Sequence, residues 1–87
     1  MKIKDGFILR EVAGSFIVVA VGSAVKDFNC VINLNETGAF LWKELEKGAT
    51  KEQLLTALLN EYDVDEEIAK KDIGAFIEKI SSANILK

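Results

Sequence analysis

The stretch Leu34-Asn35-Glu36-Thr37-Gly38-Ala39-Phe40-Leu41-Trp42 decides the fold. Up to Leu34 the apolar residues recur with period two. After Asn35 they recur with a period near 3.6, the two spacings of strand and helix. Asn35 is the expected N-cap, because its side-chain carbonyl suits an orphan amide of a first helical turn. Strands therefore come first and helices second. The expected fold class is α+β, a three-stranded antiparallel sheet followed by three α-helices.

Working upstream, Phe28 to Leu34 reads as the third strand, with Phe28, Cys30, Ile32 and Leu34 on one face and Asn29, Val31 and Asn33 on the other. Gly22 to Asp27 reads as a loop. Phe16 to Val21 reads as the second strand, apolar on both faces as a central strand covered on both sides would be. Ala13-Gly14-Ser15 forms a short turn, with Gly14 free to take positive φ. Gly6 to Val12 forms the first strand.

Downstream, the first helix runs from Glu36 to Glu46, with Phe40, Leu41, Trp42 and Leu45 as its apolar surface and Gly48 ending it. Thr50-Lys51-Glu52-Gln53 fits a capping box and opens the second helix. Its Leu54, Leu55, Leu58, Leu59 and Tyr62 share one stripe. Asp63-Val64-Asp65 breaks it and caps the third helix, whose first turn holds Glu66 and Glu67. Ala69, Ile73, Phe76, Ile77 and Ile80 form the buried face of the third helix. Gly74 inside it costs about 1 kcal/mol against alanine unless it marks a close packing point. The helix frays near Asn84, and Ile85-Leu86-Lys87 packs back.

Eighty-seven residues make one small domain, residues 1–87. No apolar run reaches the roughly 18–20 residues that span a bilayer, so no membrane partner is expected. Met1-Lys2-Ile3-Lys4 followed by Asp5, Arg10 and Glu11 makes a poor signal peptide, and the expected location is the cytoplasm. The single cysteine, Cys30, forms no internal disulfide, and its uncharged neighbours favour structural burial. The chain has no histidine, which excludes a Cys–His pair and a His-containing triad. No calcium loop or phosphate-cradling glycine loop is present. Nothing in these residues argues for catalysis or for a metal site.

Two features stand out as candidate binding elements. In a three-strand meander the first and third strands are edges. The first carries Arg10 and Glu11, charges that blunt an edge, while Asn29-Cys30-Val31-Ile32-Asn33 carries none. An uncharged edge calls for a cover: an extended peptide added as a strand, the C-terminal tail, a helix, or a second copy pairing third strands. The second feature is the flank of the third helix, Ile68, Asp72, Ala75 and Lys79, with Lys71 beyond it. It offers either a groove wall or a solvated helix side.

A sheet followed by three helices is also the order of a winged helix, which raises DNA binding. Residues 1–34 carry a balance of +1 and residues 35–87 a balance of −4. The helical half that would dock on a duplex is acidic, whereas duplex binding needs a basic footprint. No nucleic-acid partner is expected.

The motif Leu34-Asn35-Glu36-Thr37-Gly38-x-x-Leu41-Trp42 resembles the signature of the PqqD family. So do Tyr62-Asp63-Val64 and the run Asp72-x-x-x-Phe76-Ile77-x-x-Ile80. Phe7-x-Leu9-Arg10-Glu11-Val12-Ala13-Gly14 and Lys26-Asp27-Phe28-Asn29 are similar to its stand-alone members. This resemblance implies a winged-helix-like peptide chaperone without cofactor or catalysis. Such a domain binds the leader segment of a ribosomally synthesised precursor peptide as a strand added to the third strand, against the third helix. It delivers that precursor to a modifying enzyme, often a radical-SAM protein. The implied site is Asn29, Cys30, Val31, Ile32 and Asn33 with Ile68, Lys71, Asp72, Ala75 and Lys79. The chain departs from the pattern at Ile80 and Asn84, where the family often has leucine and glycine. The Leu34–Trp42 stretch is expected to be structural, setting the third strand against the helices.

Overall fold

The computed structural model describes residues 1–22, 25 and 31–87. Among these run β1 (Phe7–Val12), β2 (Ser15–Ala20), β3 (Ile32–Leu34), α1 (Glu36–Glu46), α2 (Lys51–Glu61) and α3 (Glu66–Ser82). The sheet is antiparallel in the order β1-β2-β3, so β2 is central and β1 and β3 are edges. The α+β reading holds. Phe28, Asn29 and Cys30, expected to begin the third strand, lie outside the described residues, as does the burial expected of Cys30.

The β1–β2 hairpin closes through Ala13 and Gly14, both at positive φ (50° and 82°), between the paired residues Val12 and Ser15. Two successive positive φ values are the signature of a type I′ turn, whose twist matches that of the strands. The expectation gave positive φ to Gly14 alone.

One sheet face packs on the helices. Val18, Ile32 and Leu34 are buried there, with Phe7, Leu9, Phe16 and Ala20 packed against the same core. The helices contribute Leu41, Trp42 and Leu45 from α1, Leu54 and Leu58 from α2, and Ala69, Ile73, Phe76 and Ile80 from α3. Cover on both sides of β2 does not hold: Ile17 and Val19 stay half-buried on the opposite face, outside this cluster. Phe40 and Tyr62 meet edge-to-face, with ring centroids 5.6 Å apart. Partial burial, then the Glu36 and Glu61 carboxylates, raise the Tyr62 phenol above its ordinary value.

The caps explain the helix bounds. Asn35 Oδ1 accepts the Gly38 N–H at 2.7 Å and starts α1. A Cβ on Gly38 would lie 3.2 Å from that same oxygen and 3.3 Å from Leu34 Cβ, so close approach sets this glycine. Gly48, at φ 86°, ends the helix. At α2 the capping box is complete: Gln53 N–H donates to Thr50 Oγ1 at 3.1 Å, and Thr50 N–H donates to Gln53 Oε1 at 2.8 Å. Asp65 occupies the N-cap of α3 but its side chain makes no capping bond, so Glu66 and Glu67 carry the favourable charge there.

The end of α3 accounts for the departure at Asn84. Ile85 N–H reaches the Ile80 carbonyl and Asn84 N–H reaches the Ser81 carbonyl, each at 3.0 Å. This pair of bonds is the Schellman motif, which needs a left-handed residue at Asn84 (φ 60°). Asparagine is the residue after glycine best able to adopt that conformation. The chain then turns back: Ile85 is fully buried, and Leu86 bridges Ile3. Lys4 N–H donates to the Ile85 carbonyl and Lys87 N–H to the Lys2 carbonyl, each at 2.8 Å. The C-terminal tail therefore pairs with the N-terminal segment and not with β3.

Gly74 is not a packing point. It is exposed, and a Cβ there would meet nothing within 4 Å. Gly74→Ala is expected to stabilise the domain by about 1 kcal/mol through helix propensity alone. Thermal melts should show a rise of roughly 4–8 °C for a domain of this size.

Candidate functional site

The direction of the backbone groups on β3 follows from the register. Val21 N–H donates to the Gly6 carbonyl at 2.7 Å. In an antiparallel ladder the residues that exchange bonds alternate with those that do not. Odd-numbered residues of β2 therefore point their N–H and C=O groups toward β1, and even-numbered residues point theirs toward β3. Phe16 pairs with Leu34 and Val18 with Ile32, so those are the bonded pairs. Asn33, opposite Ile17, is left with its N–H and C=O facing away from the sheet. Val31, immediately before β3, is 57% exposed.

The open edge faces α3. Lys79 Nζ donates to the Asn33 carbonyl at 2.6 Å, which ties the late part of α3 to β3. Alongside lies a cleft of about 250 Å³ lined by Asp72, Ala75, Phe76 and Lys79 from α3 and by Leu34, Asn35, Thr37 and Gly38 from the β3–α1 junction. Asp72, Ala75 and Lys79 share a stripe because residues three and four apart sit on one helix face. Ala75 leaves room where a larger side chain would fill the cleft.

Of the sequence-derived candidates, Asn33, Asp72, Ala75 and Lys79 come together here. Val31 lies exposed at the start of the same edge, while Ile32 turns its side chain into the core. Ile68 is half exposed at the beginning of α3, and neither it nor Lys71 lines the cleft. Asn29 and Cys30 lie outside the described residues. Sequence reasoning missed Asn35, Thr37 and Gly38. The first residues of the Leu34–Trp42 stretch, expected to be structural, cap α1 and also wall the cleft. The unusual glycine in the first turn of α1 was the available signal.

Among the described residues, no group of three or more His, Cys, Asp or Glu side chains is placed to hold a metal ion. No helix there is long and apolar enough to cross a membrane.

Two solved structures share this fold. One is TbiB1 in complex with the TbiA(β) leader peptide, which is 22% identical with a TM-score of 0.77; the match covers all of this chain and 95% of that one. The other is a lasso peptide synthetase B1 complexed with a leader peptide, 18% identical with a TM-score of 0.73, covering 97% and 93% of the two chains. No curated protein matches this chain. The family model described as coenzyme PQQ synthesis protein D (PqqD) matches residues 16–86. A match over that span takes in β2, β3, all three helices and the cleft between them, and the chain accordingly belongs to the PqqD family.

Proposed function

We propose that this domain binds the leader segment of a ribosomally synthesised precursor peptide by strand addition at β3, in the groove against α3. The observation that carries this reading is the outward-facing backbone of Asn33, the middle residue of β3, beside the cleft. Main-chain bonds to that edge would supply affinity for any extended segment, and the cleft would supply side-chain selection. Family membership supports the reading, as do two similarly folded proteins solved with leader peptides. The tail, a rival cover for this edge, is engaged elsewhere by Ile3.

On this reading the domain works in the cytoplasm without a cofactor and catalyses nothing. It presents the bound precursor to a modifying enzyme, of the radical-SAM class in our proposal. Edge-to-edge pairing of two β3 strands would use the same groups, so a dimer would dissociate as peptide binds.

The test is an NMR titration with the leader peptide of the precursor encoded beside this gene. Shifts should concentrate at residues 31–38 and 72–79. Shifts confined to α2, or none at saturating peptide, would overturn the proposal. Solution mass measured alongside separates a monomer from a β3-paired dimer.

A further inference from the structure

We infer that Lys79 selects precursor segments carrying an acidic side chain opposite Asn33. This rests on the proposed strand addition at β3 and concerns which peptides that edge accepts. Lys79 is exposed, and its bond to the Asn33 carbonyl is the contact that brings its ammonium to the open edge. It makes no ion pair with an acidic group among the described residues, where Lys47–Glu44 is paired.

The Asn33 carbonyl is one of the groups an added strand would use. A carbonyl oxygen has two lone pairs, so an incoming N–H either shares it with the ammonium or displaces the ammonium. In both cases the charge ends beside the added strand. Covering a cation without giving it a partner costs free energy. A peptide with an acidic side chain at that point offsets the cost, whereas a peptide with a lysine there meets like-charge repulsion.

The other end of the groove has the opposite sign. Asp72 lies seven residues before Lys79 on the same stripe, roughly 10 Å away along the helix axis. A strand advances about 3.3 Å per residue, so about three residues of peptide separate the two ends. The groove therefore has a polarity that fixes the direction in which an asymmetrically charged segment lies. The occupant the charges fit is an extended peptide, acidic at the Lys79 end and neutral or basic at the Asp72 end.

The experiment uses the leader peptide of the precursor encoded beside this gene, with each acidic residue changed singly to its amide or to lysine. Each peptide is titrated into wild type, Lys79→Gln, Lys79→Arg and Lys79→Glu. One acid-to-amide change should weaken binding to wild type about fivefold, the scale of a rim ion pair. Lys79→Arg should keep that discrimination and Lys79→Gln should lose it. The matching acid-to-lysine peptide should bind Lys79→Glu better than wild type. If all four proteins rank the peptides alike while binding them, the inference fails and the groove reading stands. If the unaltered peptide does not bind wild type, the groove reading itself fails and the inference falls with it. Circular dichroism confirms that each variant is folded, and Lys79→Glu against wild type remains decisive should Lys79→Gln unfold.

Discussion

Trp42→Ala is expected to remove a large share of the domain's stability. Trp42 is the largest fully buried side chain, and it sits in the cluster where α1, α2, α3 and the sheet meet. Truncating a buried tryptophan costs about 3–5 kcal/mol, because apolar contacts are lost and a cavity remains. One term opposes this. The buried indole Nε1 has no hydrogen-bond partner among the described residues, and removing an unpaired donor relieves roughly 1–3 kcal/mol. Volume wins over the donor, so the loss should fall near the lower end, about 3 kcal/mol. A domain of this length has a total stability of roughly 4–13 kcal/mol. Trp42→Phe separates the two effects, since it removes the donor and keeps most of the contact; it should cost about 1 kcal/mol. Urea titrations followed by circular dichroism measure both variants, because Trp42 is the only tryptophan and its fluorescence is lost. A Trp42→Ala midpoint equal to that of Trp42→Phe would contradict this assignment.

Ala75→Trp is expected to abolish peptide binding while the fold survives. Ala75 is exposed on α3 and lines the cleft, so an indole there enters about 250 Å³ of space without disturbing the core. The cost to stability is the lower helix propensity of tryptophan, about 0.5 kcal/mol, or a few degrees in the melt. The cost to binding is steric exclusion of the added strand. Affinity should fall by at least about 100-fold, equivalent to roughly 2.7 kcal/mol. Calorimetric titration with the leader peptide gives the affinity, and a thermal melt shows that the fold is kept. Unchanged affinity would place the binding surface elsewhere. Ile68→Ala is the contrasting variant, since Ile68 does not line the cleft and its removal should alter affinity little.

The sequence made some of this legible and hid the rest for physical reasons. The bounds of α1 were readable to the residue because Asn35, Gly48 and the 3.6 period are local signals that agree. The open edge of β3 was readable because a meander leaves its third strand unpaired and this strand carries no charge. The turn at Ala13 was only half readable, since nothing local demands positive φ of an alanine; the register of the hairpin imposes it. The Schellman closure at Asn84 was missed because it depends on Ile85 finding the core. The helical period gave the angular position of Ile68, Asp72, Ala75 and Lys79 correctly. It could not tell how far along α3 the β3–α1 junction would reach, and that is what leaves Ile68 off the cleft; Lys71, one residue before Asp72, is turned about 100° away from the stripe. Asn35 and Gly38 escaped because their capping role accounted for them fully, while their second face toward α3 is set by tertiary packing.

The most direct test of strand addition at β3 is amide hydrogen exchange at Val31, Ile32, Asn33 and Leu34, with and without saturating leader peptide. The register makes Ile32 and Leu34 a built-in control for Asn33. Ile32 and Leu34 already donate toward β2 and should exchange at the same rate in both states. Asn33 faces the open edge and should become protected when a strand is added, and Val31 with it as the added strand extends past the start of β3. That alternating pattern is the predicted result. Unchanged exchange at Val31 and Asn33 with peptide bound, or equal slowing at all four positions, would contradict binding by strand addition at this edge.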